Sequence, residues 1–255
     1  MARIFQFTFI IILLVGCTLS PSLLNAQQKT PVIDFKELAF FDVDALGFDY
    51  LVFHDGTLVK RNESGQNVGH FTENRYGWPS SLDVLNPQKA LLYYPDFQKA
   101  ILIDRLLNAT RTYDLEGMGI WEQGPISLSS HGQLWVYFPS SGRVKEVNQN
   151  GEVLNETDPV NFYVNQWGAP ERIIERQNVL YVSFPSNGWL RFDRYGSFID
   201  KIQFPHSWFR VDENGLFFWH ENTLHVLGDR SPFPQIIQEG LTSLEMVLEF
   251  VQGLD

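Results

Sequence analysis

Cysteine is almost missing from the chain. Cys17 is the single thiol among 255 residues. That excludes an internal disulfide and any zinc site built on cysteine. Stability must then come from a hydrophobic core, which a chain of this length can build. Charge is scarce too, at 19%, below the usual quarter. Positive charge is the scarcer sign: 19 Lys and Arg face 30 Asp and Glu, for a net charge of −11. A general basic field is therefore lacking, and with it the ordinary means of holding nucleic acid or an anionic membrane. No Gly-x-Ser-x-Gly elbow and no Asp-x-Asp-x-Asp-Gly calcium loop occurs, so no motif of catalytic rank is present.

Apolar and aromatic residues are plentiful. Hydrophobic residues reach 44% and aromatics 15%, a balance that favours strands over helices. At the N-terminus, Arg3 precedes an apolar run from Ile4 to Gly16 broken only by Gln6 and Thr8. The run is short for a membrane span and suits an export signal over residues 1–26. Two cleavage sites fit. Leu14-Val15-Gly16-Cys17 resembles a bacterial lipobox, with lipidation at Cys17. Leu24-Asn25-Ala26 suits cleavage after Ala26. The expected compartment is a bacterial cell envelope, as a periplasmic protein or an outer-membrane lipoprotein.

One stretch organises the remainder. Leu134-Trp-Val-Tyr-Phe-Pro-Ser-Ser-Gly142 is nearly copied at Leu180-Tyr-Val-Ser-Phe-Pro-Ser-Asn-Gly188. Each copy is an apolar run, a turn and a second alternating run, which is a β-hairpin. Three further hairpins align with them: Tyr50–Phe53 with Thr57–Lys60, Leu91–Tyr94 with Ala100–Ile103, and Leu216–Trp219 with Leu224–Leu227. A looser strand precedes each hairpin and a short fourth strand follows most of them. Trp78, Trp121, Trp167 and Trp208 recur 43, 46 and 41 residues apart, just before the first strand of a unit. Four strands at this period are the signature of propeller blades, whose sheets bury their faces only by stacking on one another. The expected fold is all-β: a five-bladed β-propeller of four-stranded antiparallel blades in a single domain over residues 30–255. The tail, Leu241–Leu254, fits either a short C-terminal helix or an extra strand beginning a sixth blade.

Phe192-Asp193-Arg-Tyr-Gly196, and more loosely Val147-Asn148-Gln-Asn-Gly151, resemble the Phe-Asp-x-x-Gly element of irregular propellers with NHL-like or YWTD-like blades. The YWTD tetrapeptide and the Gly-His and Trp-Asp marks of WD40 repeats are absent. The resemblance is one of pattern, and implies fold rather than function.

Candidate sites are few. His220 and His225 flank a tight turn with Glu221 between them; two histidines fall short of the three or four ligands of a metal centre. Ser140 and Ser186 belong to turns that repeat, which argues for structure. Asp42, Asp44, Asp193, Asp212 and Glu213 are expected at strand ends as solvated residues, with calcium as the less favoured alternative. Asn62, Asn108 and Asn155 match the N-glycosylation acceptor, which means little in a bacterial protein. The four tryptophans are the candidate binding residues. Either they wedge between blades, or two or more line an open mouth and offer flat faces to a sugar or a protein side chain. The reading is a non-enzymatic binding or scaffold protein acting through the propeller mouth on a protein or glycan partner. An enzyme of lactonase or glycan-lyase type, and an accessory subunit of an outer-membrane machine, are the alternatives. No cofactor is implied, and the chain is expected as a monomer or one subunit of a larger complex. Membrane contact is expected only through lipid at Cys17.

Overall fold

A computed structural model describes residues 37–122, 124–212, 214–228 and 233–240. The export segment with Cys17, and the tail 241–254, lie outside the described residues. Five sheets of four strands follow one another along the chain. Blade 1 contains β1 (Leu38–Val43), β2 (Asp49–Phe53), β3 (Leu58–Arg61) and β4 (Asn67–Phe71). Blade 2 contains β5 (Ser81–Asn86), β6 (Lys89–Tyr94), β7 (Lys99–Asp104) and β8 (Ala109–Asp114). Blade 3 contains β9 (Ile126–Leu128), β10 (Leu134–Phe138), β11 (Arg143–Val147) and β12 (Val153–Glu156). Blade 4 contains β13 (Arg172–Arg176), β14 (Val179–Phe184), β15 (Gly188–Asp193) and β16 (Phe198–Ile202). Blade 5 contains β17 (Trp208–Asp212), β18 (Gly215–His220), β19 (Thr223–Leu227) and β20 (Gln235–Glu239). Every sheet is an antiparallel meander in chain order. The fold is a five-bladed β-propeller.

The second strands show why the sequence adopts it. Leu134-Trp-Val-Tyr137 and Leu180-Tyr-Val-Ser183 are buried residue after residue, because neighbouring blades cover both faces of the sheet. A short unbroken apolar run is what such a strand requires. Five buried clusters join the blades, one at each interface. The cluster holding Leu38, Phe41 and Leu51 with Trp208, Phe217 and Leu224 packs blade 1 on blade 5 and closes the ring. Among the described residues, each blade takes its four strands from one continuous segment, so no strand is shared across that seam.

The turn from third to fourth strand is built alike in four blades. Asn62, Asp104, Asn148 and Asp193 each accept, on one side-chain oxygen, the backbone amides two and four residues on. Asn and Asp suit this turn because the short polar chain reaches its own backbone. The register shifts by a bulge between the third and fourth strands of all five blades, which bends the outer strand and adds twist. Gly196 closes the Asp193 turn at φ +90°, and a Cβ there would lie 2.3 Å from the Glu156 carbonyl oxygen of the adjacent blade.

Candidate functional site

The first strands lie at the axis: β13 packs against both β9 and, across the ring, β5. Their starting ends form a mouth, and the ladders fix which positions correspond. Val52, Tyr93, Ser183 and Trp219 hold one place on the second strands. Opposite them stand Phe40, Ser81, Arg172 and Trp208. In blade 3 the Tyr137 amide donates to the Pro125 carbonyl, which puts Pro125 at the corresponding place. Phe40, Ser81, Arg172 and Trp208 line a cavity of about 300 Å³, and Ser81, Pro125 and Arg172 line a second of about 260 Å³. Ser80, Ser81, Glu171 and Arg172 border both, so the two form one bilobed depression over the axis.

Beneath the mouth, charged side chains tie the first strands together. Asp42 Oδ2 lies 3.4 Å from Arg172 Nη2 and 3.7 Å from Arg176 Nη2. Arg176 Nη2 donates to Asp83 Oδ1 at 2.8 Å and to the Val84 carbonyl at 2.9 Å. Burial opposes the Arg176 charge, but Asp83 and Asp42 outweigh it and raise the guanidinium pKa. Each carboxylate also takes a backbone amide from the next blade: Asp42 from Val84 at 3.3 Å, Asp83 from Leu128 at 2.8 Å. Two carboxylates and two guanidiniums are thus paired, with the hydrogen bonds that buried charges require, and the buried Glu175 carboxylate also supports the Arg176 charge. Arg172 is the member at the mouth. Its Nη1 donates to the Phe209 carbonyl at 3.2 Å, and its guanidinium carbon lies 5.0 Å from the Phe209 ring centre.

The crevice between blades 4 and 5 opens into the larger cavity. There Ser183 Oγ lies 2.7 Å from His206 Nε2, and His206 Nδ1 lies 3.3 Å from the Phe204 carbonyl oxygen. The imidazole lies flat on the Trp189 indole, 3.8 Å between ring centres and 15° between planes. Both residues line the cavity, although Ser183 is only 1% exposed and His206 4%. Burial lowers the imidazole pKa to about 4, and the nearby Arg172 charge acts in the same direction.

No protein-family model matches the chain, and curated proteins contain no sequence match to it. Solved structures do share its fold. A streptogramin B lyase superposes with a TM-score of 0.54 at 14% identity, over 80% of this chain and 69% of that one. A protein of unknown function from Bacteroides caccae gives 0.50 at 11% identity, over 70% and 68%. The β-propeller domain of Cps50 (Swd1) from Myceliophteria thermophila gives 0.50 at 14% identity, over 79% and 70%. At such identities the likeness is one of fold.

The four tryptophans have different surroundings at the mouth end. Trp78 and Trp121 are 69% and 65% exposed, in the loops entering blades 2 and 3. Neither belongs to the walls of the two cavities. Trp167 is half-buried, edge-on to Phe184 at 5.3 Å. Trp208 lies within β17, is 7% exposed, stacks on Phe41 at 5.3 Å, and lines the larger cavity. The tryptophans also stand at different steps along the repeat. Trp78, Trp121 and Trp167 precede Ser81, Pro125 and Arg172 by three, four and five residues, whereas Trp208 occupies the ring position itself.

Other candidates serve local structure. His225 stacks on Phe218 at 5.0 Å, and His220 Nε2 lies 3.7 Å from Glu221. Ser140 donates to Glu122, and Ser186 is exposed in its turn. Asp44 caps its turn by accepting the Leu46 and Phe48 amides. Asn155 donates to Glu146. Among the described residues, no group of three or more His, Cys, Asp or Glu is placed to hold a metal ion. No helix among them is long and apolar enough to cross a membrane.

Proposed function

We propose that the protein is a binding module of a bacterial cell envelope whose glycan or protein ligand seats in the propeller mouth. The observation behind this is the bilobed depression, with the Arg172 guanidinium, the Ser80 and Ser81 hydroxyls, and the aromatic faces of Phe40 and Trp208 around one opening. Flat apolar faces interspersed with a few fixed polar groups are what a sugar ring or an extended peptide needs from a pocket. Arg172 favours a ligand bearing a carboxylate, because a guanidinium pairs with that group through two parallel hydrogen bonds. Export, with cleavage before Cys17 or after Ala26, belongs to the same reading. It is supported by Arg3 and the apolar run behind it, and intact-mass measurement of the native protein reads which site is cut.

The decisive experiment is a glycan and peptide array followed by calorimetry on the hits. Arg172→Gln should weaken an acidic ligand about tenfold or more, as expected when a charged hydrogen bond of about 1.5–3 kcal/mol is lost. A ligand that binds the Arg172→Gln and Trp208→Phe variants as tightly as the wild type would place the site elsewhere on the molecule.

A further inference from the structure

We infer that Ser183 and His206 form a nucleophile–base pair that takes acyl groups from carboxylic esters entering the mouth. A carbonyl oxygen can only accept a hydrogen bond, so the contact with Phe204 puts the imidazole proton on Nδ1. Nε2 is then the acceptor, and the Ser183 hydroxyl donates to it across 2.7 Å. A serine nucleophile needs this orientation, with the base poised to take its proton and a third group fixing the base. Trp189 beneath the ring and Phe209 at its edge, 5.4 Å away, hold the imidazole in place.

Two further observations point the same way. Arg172 stands directly opposite Ser183 in the ladder between β13 and β14. Opposed residues of an antiparallel pair project from the same face, so the guanidinium shares the crevice with the hydroxyl. A cation there can stabilise charge developing on a carbonyl oxygen. The second observation is a break in the repeat. The place held by Ser183 is filled by Val52, Tyr93, Tyr137 and Trp219 in the other blades, where the side chain packs as bulk. Blade 4 alone puts a small aliphatic hydroxyl there, and the loop into blade 5 alone brings a histidine to it.

The chemistry closes on itself. Ser183 Oγ attacks the ester carbonyl carbon, its proton passes to His206 Nε2, and the carbonyl electron pair moves onto oxygen beside Arg172. Collapse of the tetrahedral adduct breaks the bond to the alcohol, which leaves with the proton from Nε2. Water then repeats the sequence on the acyl-serine, releasing the carboxylic acid and restoring Ser183. This reaction rests on the mouth being open to small molecules but not on which glycan or peptide binds there.

An alkyl fluorophosphonate tests the pair directly, because the probe reacts with an activated serine and loses fluoride. On the mature protein, one adduct is expected on the peptide carrying Ser183. It should be absent in Ser183→Ala and form about 100-fold or more slowly in His206→Gln, the usual contribution of a general base. The wild-type labelling rate should stay level from about pH 8 to pH 5, since the buried imidazole keeps its lone pair down to about pH 4. Hydrolysis of p-nitrophenyl acetate should disappear with the adduct. No adduct, an adduct that survives Ser183→Ala, or a His206→Gln labelling rate equal to the wild type's would each overturn the inference. Mapping the wild-type adduct to its peptide needs no variant, so the inference stays testable should His206→Gln fail to fold. Glycan binding without labelling would leave the binding reading standing and remove only the chemistry.

Discussion

His206 shows how a single side chain ties stability to pH. Its folded pKa of about 4 lies below the ordinary 6.5 because burial disfavours the charged form. Between those values the unfolded chain binds a proton that the folded chain refuses. The stabilisation is therefore whole above about pH 6.5 and falls away as the pH drops toward 4. The shift corresponds to about 3 kcal/mol. Urea unfolding at pH 7 and pH 5 should show His206→Gln losing less stability across that interval than the wild type; equal losses would assign the acid limb to other groups. Part of this site was visible in the sequence. The two near-copies of the hairpin differ at Tyr137 and Ser183, and a residue that breaks a repeat is the one to question. The histidine was not, because it comes from a loop outside the aligned hairpins and meets Ser183 only when blade 5 packs on blade 4.

At the scale of the blade, the local signals served well. Prolines and glycines marked the hairpin turns, the apolar runs marked second strands buried on both faces, and Asp193-Arg-Tyr-Gly196 marked a turn capped by its own side chain. The mouth was illegible because its positions have no residue type in common. Phe40, Ser81, Pro125, Arg172 and Trp208 correspond through ladder register, and register is set by tertiary pairing. The tryptophans looked periodic because each falls near a blade entry, yet they divide by environment, and truncation should separate them. Trp208→Ala opens the seam between blades 1 and 5 and should cost about 3–5 kcal/mol. Trp78→Ala and Trp121→Ala remove mostly exposed rings and should change stability by about 0.5 kcal/mol or less. Thermal melts of the three variants check this. If Trp78→Ala and Trp121→Ala also abolish ligand binding, the binding surface reaches beyond the two cavities to the outer rim.

For the whole molecule, buried guanidiniums and carboxylates pair near the axis while the chain as a whole is at −11. A net charge this far from zero favours solubility and discourages association with other acidic surfaces. The closure of the ring by packing has a further consequence. Because no strand among the described residues is borrowed across the seam, none of the five blades is a privileged starting point. Circular permutation should be neutral to the fold. Blades are joined by segments as short as residues 203–207 and as long as 157–171, so a linker within that range should suffice to join Glu239 to Leu38. Opened instead between Phe71 and Ser81, residues 37–240 should recover the β-sheet circular dichroism of the parent and unfold in one transition. A permutant that folds only with its original opening would mean that the order of synthesis, rather than the set of blade contacts, selects the ring.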